Sequence, residues 1–214
     1  MNLQKALLGI LTALTVANGT VMIPSQVVVG KELNYDEPAI VAYLQLTDGK
    51  ASFPPKSQIS YIKVINSELK LDKNQVSYLE GVNSKIEAIK GFIASALIKG
   101  GVAQFNQSTI SSISVDVGGK VKLKGGKVAS LLINRGVVEV EGVKFTTEGY
   151  SQVKRQVEER PGKIILYPNA QLRIKGNYTL QNRLITITYP GGVVTTAHLI
   201  VLKGGNPAKL ITTE

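Results

Sequence analysis

The chain reads as α+β and mainly β: an antiparallel sandwich or barrel, a jelly roll among the candidates, with an N-terminal apolar helix and one or two further helices. Three observations predict this. Short runs alternating apolar with polar residues recur through most of the 214 positions, separated by Gly-Gly, Pro-Gly and Asp-Gly pairs. The links between them are short, as hairpins require, whereas parallel strands call for longer crossovers. Two stretches instead space their apolar residues three and four apart, the period of one helix face.

The N-terminal stretch comes first. After Lys5 no charge occurs before Lys31, and residues 6–17 are nearly all apolar. Leu3, Leu7, Ile10, Leu11 and Leu14 fall on one helical face, which makes residues 1–18 an apolar arm and 19–214 a single β-rich domain. Three readings of the arm stay open: a helix docked on its own protein or a neighbour, a secretory signal cleaved before Asn18, and a helix in contact with a membrane. At about 20 apolar residues per crossing the stretch is short for a span.

Strand-like runs follow at 21–23, 26–29, 39–46 and 59–65, the last with an ambiguous buried face. A helix is expected over 84–99. Ser84 and Glu87 have capping-box spacing, Ile86, Ile89, Phe92, Ile93, Ala96 and Leu97 share a face, and Gly100-Gly101 supplies a stop. From 113 to 145 the glycines punctuate a meander whose Gly118-Gly119 and Gly125-Gly126 pairs suit two-residue hairpin turns. A short surface helix is expected over 148–160. Strands resume at 163–167, 171–175, 178–180, 184–189, 193–202 and 209–213. No period of 20–50 residues is present, so a repeat architecture is not expected.

Composition narrows the chemistry. Hydrophobic residues at 43% against 19% charged belong to a folded chain. The absence of cysteine excludes disulfides and cysteine-type zinc sites, and the single histidine, His198, leaves no basis for a histidine-based metal or haem site. His198 lies in a strand-like run and is expected to be a partly buried structural residue. The Gly-Gly-Lys sequences lack the spacing and the following Ser or Thr of a phosphate loop. Glu139 and Glu141 would share a strand face, and lysines on a neighbouring strand would pair with them. No catalytic residue and no cofactor are expected.

The charge of +10 sits almost wholly in the second half of the chain. Lys120, Lys122, Lys124, Lys127, Arg135, Lys154 and Arg155 form the candidate polyanion contact, non-specific because no aromatics interleave with the cations. These features together suggest a non-enzymatic structural protein that self-assembles or docks with other structural subunits, a virion or phage capsid component being the favoured setting. The alternatives are a basic nucleic-acid-binding module and a secreted or surface β-protein.

Overall fold

The computed structural model describes residues 15–17, 20–151 and 156–214, and none of these is helical. In chain order the strands are β1 (Thr15–Ala17), β2 (Thr20–Ile23), β3 (Gln26–Val29), β4 (Glu32–Asn34), β5 (Ala39–Thr47), β6 (Lys50–Phe53) and β7 (Gln58–Ile65). Next are β8 (Glu68–Asp72), β9 (Gln75–Ile89), β10 (Phe92–Asn106), β11 (Thr109–Asp116), β12 (Lys120–Lys124), β13 (Lys127–Ile133) and β14 (Val137–Glu141). The last are β15 (Lys144–Ser151), β16 (Gln156–Leu166), β17 (Gln171–Lys175), β18 (Asn177–Gln181), β19 (Leu184–Thr188), β20 (Val194–Val201) and β21 (Lys209–Thr213).

The ladders are parallel, with partners 17 or 18 residues apart through most of the chain: Gln58 pairs with Gln75, Gln75 with Phe92, Phe92 with Thr109 and Thr109 with Lys127. The chain is therefore a β-solenoid, each rung comprising a long side such as β7 and a short side such as β8. This overturns the expected antiparallel sandwich or barrel. Parallel strands here need no long crossover, because the chain reaches the next ladder position by turning a full rung.

Stacking sets like residues one above another. On the long side Leu44, Ile62, Leu79, Ala96, Ile113, Leu131 and Ile164 occupy successive rungs of one inward column. On the short side Phe53, Leu71, Ala88, Phe105, Leu123, Val140 and Ile174 form another. All are at most 3% exposed, so every rung closes its neighbour's core.

A bend in the long side explains why residues 84–99 resemble a helix. Ala94 and Ser95 both face outward between buried Ile93 and Ala96, so the inward residues are three apart there instead of two. The same step separates Ile59 from Ile62, Val76 from Leu79 and Ile110 from Ile113. Residues 84–89 belong to β9 and 92–99 to β10, and the capping-box serine is a corner residue. The expected helix over 148–160 is also corrected, because 148–151 and 156–160 are the arms of an antiparallel hairpin between β15 and β16. The expected N-terminal helix lies outside the described residues, apart from 15–17, which are strand.

Corners follow the same period. Asn66, Asn83 and Gly100 have φ of 49°, 49° and 69° at one corner; Lys73, Lys90, Gln107, Gly125 and Gly142 have 52° to 64° at the other. Gly118-Gly119 and Gly125-Gly126 are thus rung corners rather than hairpin turns. Behind the first corner, Ser84 accepts from the Ser67 amide at 3.1 Å, and its one hydroxyl proton is shared between the carbonyls of Val82 and Val64 at 2.8 and 3.1 Å. Hydroxyls thereby occupy buried backbone groups where the strands break.

Two insertions interrupt the stack. The β15–β16 hairpin leaves the long side after Phe145 and returns at Gly162, and β18–β19 follows β17. β19 pairs antiparallel with β20 and buries Ile185 and Ile187 completely, closing the long-side ladder at the C-terminal end.

Candidate interaction surfaces

The lysines of the proposed polyanion face point outward on the short side, as their alternation with buried Val121 and Leu123 requires. Parallel stacking then places acids next to them. In one outward row the successive residues are Lys70, Glu87, Gln104, Lys122, Glu139 and Arg173; in the next, Lys124, Glu141 and Lys175 follow one another. Lys122 lies 2.9 Å from Glu139, while Glu141 is 3.7 Å from Lys124 and 3.5 Å from Lys175. The hydrogen bond to Glu139 raises the Lys122 pKa. The ion pairs anticipated for Glu139 and Glu141 are therefore present, in a parallel ladder. Each exposed pair contributes about 0–1 kcal/mol, so their main effect is to set register; the rows still hold more cations than carboxylates and the face stays basic.

The other candidates are dispersed. Lys127 is on the long side and pairs with Glu159 of the hairpin at 2.6 Å. Arg135 is an exposed corner residue with φ 57°. Lys154 and Arg155, like the arm residues Leu3, Leu7, Ile10, Leu11 and Leu14, lie outside the described residues. Lys120 has Val102 and Val137 as ladder neighbours, and these short side chains leave a shallow trough of about 240 Å³ that Arg173 also lines.

The long side carries two different outer surfaces. Towards the N-terminus Tyr43, Tyr61 and Tyr78 stack with centroids 5.2 and 5.0 Å apart. Tyr61 donates to Glu80 at 2.9 Å, and Lys63 and Lys99 approach the same carboxylate at 3.5 and 3.3 Å. Burial acts to raise the Glu80 pKa, but the hydrogen bonds from Tyr61 and Lys99 and the two ammonium charges outweigh it and hold the carboxyl below its ordinary value. Burial, followed by that same carboxylate, pushes Tyr61 up to about 12. A depressed carboxylate stabilises the fold above its unfolded pKa and loses that contribution as pH falls through the folded one. Glu80→Gln is thus expected to cost about 1–2 kcal/mol at neutral pH, a cost that shrinks below about pH 4.5. Urea unfolding of both proteins at neutral and acid pH measures the difference.

Towards the C-terminus Lys127 and Lys163 still face outward on the long side, but the row that passes through Leu132 carries no charge. Leu97, Ser114, Leu132, Ile165 and Ile200 follow one another in a single outward row, each half-buried except Ile200, which is exposed. Val201 follows buried Leu166 in an inward column and is 49% exposed at the last rung, so it lies on the opposite face from Ile200. His198 lies in the adjacent row and is exposed, which corrects the expectation of a partly buried histidine: in β20 it alternates with buried Ala197 and Leu199 and so points out. The sequence signal for the stripe was available only in the ladder register, whose steps of 17 and 18 residues lengthen to 33 and 35 around the insertions.

Among the described residues no group of three potential metal ligands converges, and no helix is long and apolar enough to cross a membrane. Comparison with protein-family models, curated proteins and solved structures found no match.

Proposed function

We propose that this β-solenoid is a non-enzymatic structural subunit that docks on further copies of itself through the C-terminal half of its long side. The observation that supports this is the charge-free row from Leu97 to Ile200 in a protein of net charge +10. Apolar residues scattered singly on a surface need no explanation, but Leu132, Ile165 and Ile200 lie side by side on consecutive long-side strands, and an apolar run of that kind marks a surface that is covered in use. A second flat sheet face suits it, because sheets pack face to face about 10 Å apart. A virion shell is one setting for such a subunit and a secreted or cell-surface rod is another. The pairing of Lys122 with Glu139 and of Lys124 with Glu141 gives the nucleic-acid reading less support than the sequence suggested.

Size-exclusion chromatography with light scattering tests the reading. The expected result is an oligomer whose share rises with concentration, converted to monomer by Leu132→Glu combined with Ile165→Glu. A protein that stays monomeric at high concentration contradicts it.

A further inference from the structure

The two corners of a rung fill the same backbone role with different residues. Where the long side turns into the short side, the left-handed position is held by Asp48, Asn66, Asn83 and Gly100, with φ of 51°, 49°, 49° and 69°. Glycine, asparagine and aspartate are the residues that adopt this region at least cost. Where the short side turns back into the long side, the residues are Lys56, Lys73 and Lys90, with φ of 71°, 52° and 52°. Lysine has no such ease in this region.

The three lysines are also stacked. Beside them Gln58 pairs with Gln75 and Gln75 with Phe92, so Lys56, Lys73 and Lys90 stand on consecutive rungs, about 4.8 Å apart at the backbone. All three are exposed, and among the described residues no carboxylate lies within ion-pairing distance of them. Like charges side by side on neighbouring strands repel, and the short side of the same rungs avoids this by alternating Glu32, Lys50, Glu68 and Lys85. At the lysine corner, backbone strain and charge repulsion recur together on three successive rungs. Strain retained in this way points to a task other than folding.

The neighbouring surface narrows what the column holds. The next outward row on the long side is Gln58, Gln75, Phe92 and Thr109, and Ser60 and Ser77 follow beyond it. These are exposed amide and hydroxyl groups with one ring, Phe92 at 45% exposure, and no charge among them. Amides and hydroxyls both donate and accept hydrogen bonds, which matches the hydroxyls of a sugar. Single-stranded nucleic acids are held by cations together with an aromatic platform for successive bases, and here one ring serves three rungs.

We propose that the lysine corner and the row beside it bind an acidic polysaccharide, a chain of uronic acid units laid along the solenoid axis. Its carboxylates face Lys56, Lys73 and Lys90, its hydroxyls face Gln58, Gln75 and Thr109, and one sugar ring lies on Phe92. A stack of rungs suits a linear polymer, because the same contact recurs at each step. The site is on the N-terminal half and separate from the docking face of the C-terminal half.

Fluorescence anisotropy of an end-labelled oligogalacturonate, titrated with the full-length chain, tests the proposal. The variant carrying Lys56→Asn, Lys73→Asn and Lys90→Asn is compared with one carrying Lys50→Asn, Lys70→Asn and Lys85→Asn, which loses the same charge from the short side. The corner variant is expected to bind about tenfold more weakly, the summed effect of three exposed ion pairs, and the short-side variant to stay within about twofold of the parent. The corner variant should also melt at the same or a higher temperature, because asparagine relieves both the strain and the repulsion. No binding by the parent at low salt, equal weakening in the two variants, an unaffected corner variant, or a corner variant that melts lower would each overturn the proposal. Tighter binding of a single-stranded DNA of equal charge, lost in the corner variant, would overturn it in favour of nucleic acid.

Discussion

Phe105→Ala is expected to lower the stability of the fold by about 3–5 kcal/mol, the loss typical of a fully buried aromatic truncated in a core. Phe105 is 1% exposed and stacks between Ala88 and Leu123 in the short-side column, with Ala103 beside it in its own rung. The large ring occupies the volume that the two alanines leave, so neither can move in to fill a vacancy. In a stack each rung is stabilised chiefly by its two neighbours, so the cavity weakens both of the interfaces that Phe105 makes. Phe105→Leu, which retains most of the volume, is expected to cost less than about 1.5 kcal/mol. Urea unfolding of the three proteins measures this, and a loss below 1 kcal/mol for the alanine variant would mean that the columns do not carry the core as described.

The second large effect lies at a corner. Gly126→Val is expected to cost about 2–5 kcal/mol, from left-handed backbone strain together with overpacking. Gly126 has φ 80°, and a Cβ there would run into the carbonyl oxygen of Ser108 on the previous rung. That oxygen accepts from the Lys127 amide at 3.0 Å, while the Gly126 carbonyl accepts from Lys144 at 3.0 Å on the next rung. The corner ladder therefore has no slack for a side chain. Gly125, with φ 61° and its nearest obstacle the Gln107 side chain at 3.5 Å, is the control. Gly125→Asn is expected to change stability by less than about 1 kcal/mol, because asparagine tolerates the left-handed region. Comparing the two melting curves separates a geometric requirement at Gly126 from a general intolerance of the corner.

These two sites also show how far the sequence could be read. The alternation around Lys120, Val121, Lys122 and Leu123 correctly indicated a strand with buried apolar and exposed basic residues, and the acids at Glu139 and Glu141 correctly suggested partners for the lysines. Most later strands were legible for the same reason. The direction of pairing was not, since Gly-Gly serves equally as a hairpin turn or a solenoid corner when both need positive φ. The repeat was hidden because its period of 17 or 18 residues is shorter than that of the common repeat classes and its corners vary in composition. Asn66-Ser67, Asn83-Ser84 and Gly100-Gly101 perform one task with different residues. The helix over 84–99 failed for a third reason, the long-side bend that spaces Ile93 and Ala96 like neighbours on a helix. The apolar stripe from Leu97 to Ile200 becomes visible only once that register is known.

Distances between spin labels test the solenoid most directly. Lys50, Glu68, Lys85, Val102, Lys120, Val137, Gln171 and Lys209 are successive members of one outward short-side row. In the cysteine-free chain, labels can be placed at Lys50 with Lys120, four ladder steps apart, and at Lys50 with Lys209, seven steps apart. At about 4.8 Å per step the backbone separations are about 19 and 34 Å, so the second pair should read about 15 Å longer than the first. Equal distances, or a shorter one for Lys50 with Lys209, as a sheet folded back on itself would give, would contradict the stack.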